Sequence, residues 1–169
     1  MSERTASWTR WLWLSAAVVV LDLATKALVS EAFHYGEVLY VTPFFNLVLV
    51  HNTGAAFSFL AQAGGWQRWF FTLVAVVISA ALISMLRKPG TGKLLSFGLA
   101  LVLGGALGNL HDRVRLGYVV DFIQVHAGGY YFPAFNVADS AITVGVALLI
   151  WDSLRPAARA PVGATQEKP

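Results

Sequence analysis

Two aspartates in apolar surroundings are the residues of this sequence best suited to chemistry. Asp121 lies in the apolar segment 117–123, and Asp139 lies at the start of a long apolar run. Two carboxylates held close together in a poorly hydrated site do not both ionise readily, so the pair retains one proton near neutral pH. The ionised member can activate water while the protonated member polarises a carbonyl group, which is chemistry that hydrolyses peptides without a metal.

The position of each aspartate in the chain predicts which of the two holds the proton. Asp139 would lie near the positive end of a helix dipole, which favours its anion, so Asp121 is the expected proton holder. A purely structural interpretation is also open. In that interpretation Asp139 caps the helix that it begins, and Asp121 pairs with Arg113 or Arg115.

Further polar residues are expected on the same side of the membrane as the two aspartates. These candidates for substrate binding or support of the site are Asn52, Gly54, Asn109, Asp112, Arg113 and Asn136. The amides of Asn52 and Asn136 can donate and accept hydrogen bonds for a substrate backbone, and Arg113 can hold a carboxylate or a carbonyl. Alternative roles are an Asx turn before Gly54 and a helix cap.

Asp22 and Lys26 are the charged residues inside the first apolar stretch. Four positions apart on a helix, they share one face and can neutralise each other in the membrane. This spacing favours a supporting role over direct catalysis. A serine mechanism with Lys26 as base would need Ser58 or Ser140 nearby, and nothing in the sequence links either serine to that lysine.

The elements that position these residues are predicted to be membrane-spanning helices. Of the 169 residues, 57% are hydrophobic and only 12% are charged, which is outside the range of soluble domains. We predict a mainly α-helical integral membrane protein with a four-helix bundle, in a single domain over residues 1–155. Stretches of roughly 20 apolar residues give spans at about 11–30, 66–86, 94–112 and 136–154. The first contains Asp22 and Lys26 and is not followed by a cleavage signal, so it is expected to remain as a span.

Basic residues in the connections predict the orientation of the spans. One side holds eight, namely Arg4, Arg10, Arg87, Lys88, Lys93, Arg155, Arg159 and Lys168, and the other holds only Arg68, Arg113 and Arg115. The positive-inside rule therefore places both termini in the cytoplasm and the segments 31–65 and 111–135 outside. The tail 156–169 is predicted to be a disordered cytoplasmic segment.

The connection between the first two spans has the composition of a small sheet. Segment 38–50 is rich in β-branched and aromatic residues and contains Pro43, which predicts a short, twisted β-sheet outside the membrane between helices 1 and 2. A fifth span over 38–60 is disfavoured because polar residues interrupt it and the charge asymmetry would be lost. In the third span, Gly104 and Gly108 are expected to let another helix approach closely.

Several function classes are disfavoured by composition. The chain has no cysteine, so disulfides, thiolate nucleophiles and zinc-thiolate sites are excluded. Its four histidines lack paired helical spacing, so we expect no metal and no other cofactor. The net charge of +3 is divided among short cytoplasmic flanks rather than gathered in a stripe, so we expect no nucleic-acid partner.

Five blocks of this sequence, in order, resemble the bacterial lipoprotein signal peptidases, also called signal peptidase II. The blocks lie at residues 22–26, 52–57, 104–113, 119–122 and 135–140, and the last two carry Asp121 and Asp139. The resemblance implies an aspartic endopeptidase that cleaves a prolipoprotein just before its diacylglyceryl-cysteine, with Asp121 and Asp139 as the catalytic pair. It also implies that the outer sheet is a cradle that helps to hold the lipidated substrate.

The same resemblance implies roles for the other candidates. Asn52, Asn109, Arg113 and Asn136 match polar positions of the family's pocket, and Asp22, Lys26 and Asp112 match supports around it. The implied partners are membrane lipid, lipid-modified prolipoproteins and globomycin-type cyclic peptide inhibitors. The implied location is the bacterial inner membrane, with the site near the periplasmic face.

Two other classes of protein remain to be weighed. A small ion carrier would place titratable groups throughout the membrane, whereas here most polar groups gather at one side. A non-catalytic membrane scaffold would explain the spacing of Gly104 and Gly108 but not a convergent pair of carboxylates. Activity that survived substitution of both aspartates would favour the scaffold.

Overall fold

The computed structural model describes the backbone of residues 2–54 and 64–155 and the side chains from residue 8 onward. In chain order the elements are helix α1 (Ser2–Ala32), strands β1 (Val38–Thr42) and β2 (Phe45–Asn52), helices α2 (Trp66–Leu86) and α3 (Lys93–Arg115), strands β3 (Val119–Ala127) and β4 (Tyr130–Tyr131), and helix α4 (Val137–Leu154). In this part of the chain, four helices are long and apolar enough to cross a membrane. The four-helix bundle with a small sheet is confirmed.

Helix α3 is the central helix of the bundle. It packs against α1, α2 and α4, and most of its membrane-length stretch is buried, whereas the other three helices present most of theirs outward. At the end of the bundle away from the sheet, α2 and α3 share an apolar core of Leu82, Leu86, Leu99, Val102 and Leu103. Helix α2 has its extensive contacts with α3 alone, so α2 and α4 stand apart.

Glycines of α3 allow this close packing, as their spacing in the sequence predicts. A Cβ atom on Gly104 would lie 2.7 Å from the Cβ of Val18, and one on Gly108 would lie 2.6 Å from Oδ2 of Asp22. Neither distance leaves room for a methyl group. The backbones of α1 and α3 therefore approach each other where glycine replaces a side chain.

The sheet combines strands from both connections at one end of the bundle, which we call the sheet end. Its order is β1-β2-β3-β4, and all neighbouring strands are antiparallel. The sequence predicts only the part between α1 and α2. Strands β3 and β4, between α3 and α4, form the other half because the apolar segment around Asp121 pairs along β2.

The sheet end also collects helix termini. The C-terminal ends of α1 and α3 and the N-terminal ends of α2 and α4 lie there, because antiparallel neighbours alternate in direction. Helix α3 continues past the predicted end of its span at residue 112, through Arg113, to Arg115. Of the candidates that the sequence places in connections, Arg113 is thus held on a helix, and Asn52 and Asp121 are held on paired strands.

Candidate active site

Asp121 is positioned by the central pairing of the sheet. It lies on β3 opposite Val50 of β2, just beyond an irregularity in the register between Leu47 and Val50. Such a bulge bends a strand and redirects its side chains. Asp121 is only 2% exposed, and its neighbours Val120 and Phe122 on β3 are buried as well.

Asp139 is positioned by the first turn of α4. Asn136 is the N-cap of this helix: its side-chain Oδ1 accepts a hydrogen bond from the backbone N–H of Asp139 at 2.9 Å. The backbone N–H of Asn136 donates in return to Oδ2 of Asp139 at 3.3 Å, which completes a capping box. The carboxylate of Asp139 is therefore fixed by the helix start, and its side chain is half-buried.

One asparagine connects the two carboxyl groups. While its oxygen caps α4, the Nδ2 of Asn136 donates to Oδ1 of Asp121 at 2.7 Å. Oδ2 of Asp121 accepts from Nδ2 of Asn52 at 3.1 Å, and Oδ1 of Asp139 accepts from Nδ2 of Asn109 at 2.7 Å. Every oxygen of the pair thus accepts an N–H from an uncharged amide.

Burial has a large effect on the acidity of this pair. Burial, and after it the nearby charge of Asp139, raises the pKa of Asp121 from 3.8 to about 7. The hydrogen bonds from Asn52 and Asn136 oppose this rise because they stabilise the anion. Burial and the charge of Asp139 thus favour the protonated form of Asp121. The assignment of the proton to Asp121 stays a prediction.

Beneath the pair lies a second cluster of carboxylates, which is fully buried and bound to a cation. Nζ of Lys26 lies 2.7 Å from Oδ2 of Asp22 and 2.9 Å from Oδ2 of Asp112, and it donates a hydrogen bond to Oδ1 of Asn109 at 3.0 Å. The ammonium group thus lies between two carboxylates and one amide oxygen. The predicted ion pair of Asp22 and Lys26 is present, and Asp112 joins it.

This buried cluster supports the elements that carry the candidate catalytic residues. Oδ1 of Asp22 accepts from the backbone N–H of Ala138 at 2.9 Å, at the start of α4. Oδ2 of Asp112 accepts from the backbone N–H of Val120 at 3.2 Å, next to Asp121. An ammonium group can only donate, so Lys26 also fixes Asn109 with its oxygen inward and its NH₂ toward Asp139.

Arg113 and Gly54 form another side of the site. Nη2 of Arg113 donates to the carbonyl oxygen of Gly54 at 3.1 Å, and its guanidinium lies 5.4 Å from the centre of the Phe71 ring. The backbone N–H of Gly54 donates to Oδ1 of Asn52 at 3.0 Å, which is the Asx turn that the sequence allows. Asn52 thus shapes this turn and binds Asp121 at once.

The carboxyl groups open onto a cavity of about 970 Å³. Asp121, Asp139, Asn52, Asn109 and Arg113 line its polar part. Its apolar walls come from α2 and α4, with Phe71, Val74, Ala75, Ile78, Ile142 and Val144. The cavity therefore extends from the sheet end into the gap between two helices, where lipid would lie beside it.

The structural interpretation of the two aspartates holds for one of them. Asp139 does belong to a helix cap, but the cap leaves Oδ1 to the amide of Asn109. Within residues 8–54 and 64–155 no ion pair joins Asp121 to Arg113 or Arg115. The amides of Asn52 and Asn136, expected to be available to a substrate, instead bind Asp121.

Some residues of the site were missed or lie beyond the described residues. Gln124 lines the cavity, and the buried Asn46 donates a hydrogen bond to Gln124. Neither residue belongs to the five sequence blocks that resemble signal peptidase II. The predicted strand around Asn46 was the only sequence signal for this pair. Ser58, like Ala55, Ala56 and Phe57 of the second block, lies outside the described residues, and so does the tail 156–169.

Fold and site together define a multi-pass membrane protein with a pair of carboxyl groups at one end of a four-helix bundle. Residues 14–155 match the family model of signal peptidase (SPase) II. A lipoprotein signal peptidase of Paraburkholderia phymatum is 51% identical over 145 residues, which cover 86% of this chain and 87% of the relative. One from Janthinobacterium sp. (strain Marseille) is 51% identical over 151 residues, covering 89% and 92%.

Solved structures agree with this assignment. A bacterial membrane enzyme determined at 2.3 Å resolution matches with a TM-score of 0.78 and 35% identity, covering 86% of this chain and 88% of that one. A second, at 1.9 Å resolution, matches with a TM-score of 0.77 and 34% identity, covering 88% and 95%. The chain belongs to the signal peptidase II family and is a membrane-embedded peptidase.

Proposed function

We propose that this protein is an aspartic endopeptidase that removes the signal peptide of lipid-modified prolipoproteins by cleaving just before the diacylglyceryl-cysteine. One observation carries the proposal: Asp121 and Asp139, joined through Asn136, line a single cavity and receive hydrogen bonds from neutral amides only. Among residues 8–54 and 64–155 no ion pair joins either carboxyl group to a cation, so the pair can hold one proton and exchange it during a reaction.

Hydrolysis by this pair follows from the two protonation states. Asp139 takes a proton from a water molecule while the water oxygen bonds to the scissile carbonyl carbon. Asp121 gives its proton to the carbonyl oxygen, which yields a tetrahedral diol. Asp139 then returns its proton to the amide nitrogen, the C–N bond breaks, and Asp121 recovers a proton as the new carboxyl group forms. Asn109, Asn136 and Asn52 keep both carboxyl groups in place throughout.

The shape of the cavity supports a substrate that combines peptide and lipid. Its polar part surrounds the two carboxyl groups, and its apolar part lies between α2 and α4. A peptide bond at the aspartates would thus have acyl chains or an apolar signal helix beside it in the gap. The relatives named lipoprotein signal peptidase support this class of substrate. A globomycin-type cyclic peptide would compete for the same cavity.

Charge distribution supports an orientation in the bacterial inner membrane. At the end of the bundle opposite the sheet, Arg10 lies near the start of the first candidate span, and Arg87, Lys88, Lys93 and Arg155 lie at or beyond helix ends. At this end of the bundle, the guanidinium of Arg10 lies 5.1 Å from the centre of the Trp11 ring, and that of Arg87 lies 5.6 Å from the centre of the Trp8 ring. By the positive-inside rule both termini are cytoplasmic, and the sheet end with its site faces the periplasm.

The rival classes receive less support from the same residues. An ion carrier needs titratable groups along a path, but within the described residues the buried ionisable side chains, Asp22, Lys26, Asp112 and Asp121, all gather toward the sheet end. A scaffold gains nothing from a cavity that contains paired carboxyl groups. A serine mechanism with Lys26 is disfavoured because its ammonium group is ion-paired with Asp22 and Asp112 and donates to Asn109.

The substrate side of the proposal is tested with two forms of one prolipoprotein. Detergent-purified protein is incubated with a prolipoprotein that carries the diacylglyceryl-cysteine and with the same chain lacking the lipid, and the products are mapped by mass spectrometry. We expect cleavage immediately before the modified cysteine and little or none of the unmodified chain. Equal cleavage of both forms, or cleavage elsewhere, would contradict the proposed specificity.

A further inference from the structure

A second polar group lines the same cavity away from the aspartates. Gln124 lies on β3, three residues beyond Asp121, which corresponds to roughly 10 Å along a strand. The Oε1 atom of Gln124 accepts a hydrogen bond from Nδ2 of Asn46 at 3.1 Å. No hydrogen bond of its NH₂ group is found among the described residues. Gln124 therefore brings two unused donors to the lining of the cavity.

Asn46 on the neighbouring strand orients the side-chain amide of Gln124. Asn46 lies directly opposite Gln124 in the pairing of β2 and β3 and is completely buried. Its Oδ1 lies 3.1 Å from Nε2 of His126, whose ring stacks on Tyr131 at 5.0 Å. With His126 donating, Asn46 donates in turn to Gln124, which leaves the nitrogen of Gln124 as the free end of the chain.

A buried asparagine in a strand is costly unless its hydrogen bonds are satisfied. A valine would fit the same strand position and bury apolar surface instead. Hydrogen bonds to His126 and Gln124 satisfy the side chain of Asn46. They also hold the amide of Gln124 with its NH₂ donors available to a ligand. The group that such donors bind is an oxygen acceptor, and a carbonyl is the acceptor that a lipidated peptide has in greatest number.

We propose that Gln124 is a substrate-binding residue whose NH₂ group donates to a carbonyl oxygen of the lipidated peptide away from the scissile bond, and that Asn46 positions it. The inference rests on the proposed function, because the ligand is the prolipoprotein. Two carbonyl sources are available, the glyceryl ester of the lipid and the peptide backbone. With either carbonyl, the additional hydrogen bond strengthens substrate binding and does not take part in the chemical step.

The test compares wild-type protein with Gln124→Met, which keeps the length of the side chain and removes the donors. Gln67→Met is the matched control, since Gln67 is buried at the start of α2 and does not line the cavity. The substrates are a prolipoprotein peptide with a diacylglyceryl-cysteine and the same peptide with a dialkylglyceryl-cysteine, whose ether links lack carbonyls. Both kcat and KM are measured.

We expect Gln124→Met to raise KM for the ester substrate roughly threefold to tenfold with kcat changed by less than about twofold, as for one lost hydrogen bond. If the ester carbonyl is the acceptor, the variant and wild type have equal KM on the ether substrate. If a peptide carbonyl is the acceptor, the variant raises KM on both. An unchanged KM on both substrates, a loss in kcat alone, or an equal effect of Gln67→Met would overturn the assignment.

The positioning role of Asn46 has a separate readout. Asn46→Leu should raise KM on its own but add nothing in the Gln124→Met background, because both changes remove the same hydrogen bond. Additive effects would overturn the role of Asn46. Wild-type protein that fails to cleave the ester substrate would contradict the proposed function itself, whereas cleavage with unaltered KM in the variants overturns only the inference about Gln124.

Discussion

The structure contains two groups of aspartates that lie side by side and differ in what binds them. Asp22 and Asp112 are ion-paired with Lys26 and shielded from solvent. Asp121 and Asp139 are bound by amides and line the cavity. The cation compensates the negative charge of the first group, whereas the neutral amides leave the charge of the second group uncompensated, which favours uptake of a proton there. Aspartates suited to support and to acid–base chemistry thus differ in their partners rather than in their burial.

The largest expected change comes from removing the cation of the supporting cluster. Lys26→Met leaves Asp22 and Asp112 buried without a partner, and breaking a buried ion pair in this way costs roughly 3–5 kcal/mol. We therefore expect a large fall in the melting temperature of the detergent-solubilised protein. The exposed Lys88 offers a matched control, and Lys88→Met should leave the melting temperature near that of wild type.

The same experiment has a compensating variant. Adding Asp22→Asn and Asp112→Asn to Lys26→Met removes the unpaired charges, so most of the lost stability should return, although Asn109 would still lack the donor that orients it. The comparison of the two groups would be wrong if Lys26→Met melted like Lys88→Met. It would also be wrong if the neutral triple variant were no more stable than Lys26→Met.

A smaller effect is expected of pH on kcat/KM, and it tests the pair Asp121 and Asp139. The account requires Asp121 to be protonated, and its pKa is raised to about 7. Deprotonation above this pH removes the acid, so kcat/KM should fall about tenfold for each pH unit well above 7. Rates are measured from pH 5 to 9 with circular dichroism as a check on folding. A rate that stays constant or rises up to pH 9 would contradict the assignment of the proton to Asp121.

Much of the bundle could be predicted because its determinants are local. Runs of apolar residues mark the four helices, and Gly104 and Gly108 mark the close approach of α1 and α3. Asp22 and Lys26 are four residues apart on one helix, so their ion pair follows from spacing alone. Such features need no information about how distant segments meet.

The remainder depends on pairing between segments far apart in the chain. Nothing in segment 119–127 shows that it pairs with β2, and this pairing brings Asn52 to Asp121 and Asn46 to Gln124. Asp112 joins Lys26 only because α1 and α3 pack closely. The apolar walls of the cavity likewise arise from the gap between α2 and α4, which composition does not reveal.

The claim that Asp121 and Asp139 together hydrolyse the peptide bond is tested most directly by neutral substitutions. Cleavage of a diacylglyceryl-modified prolipoprotein is compared for wild type, Asp121→Asn, Asp139→Asn and the control Asp152→Asn, which lies at the far end of α4. We expect the first two variants to lose roughly 10²–10⁴-fold in kcat while melting near the wild-type temperature, and Asp152→Asn to retain activity. Turnover preserved in both Asp121→Asn and Asp139→Asn would contradict the account.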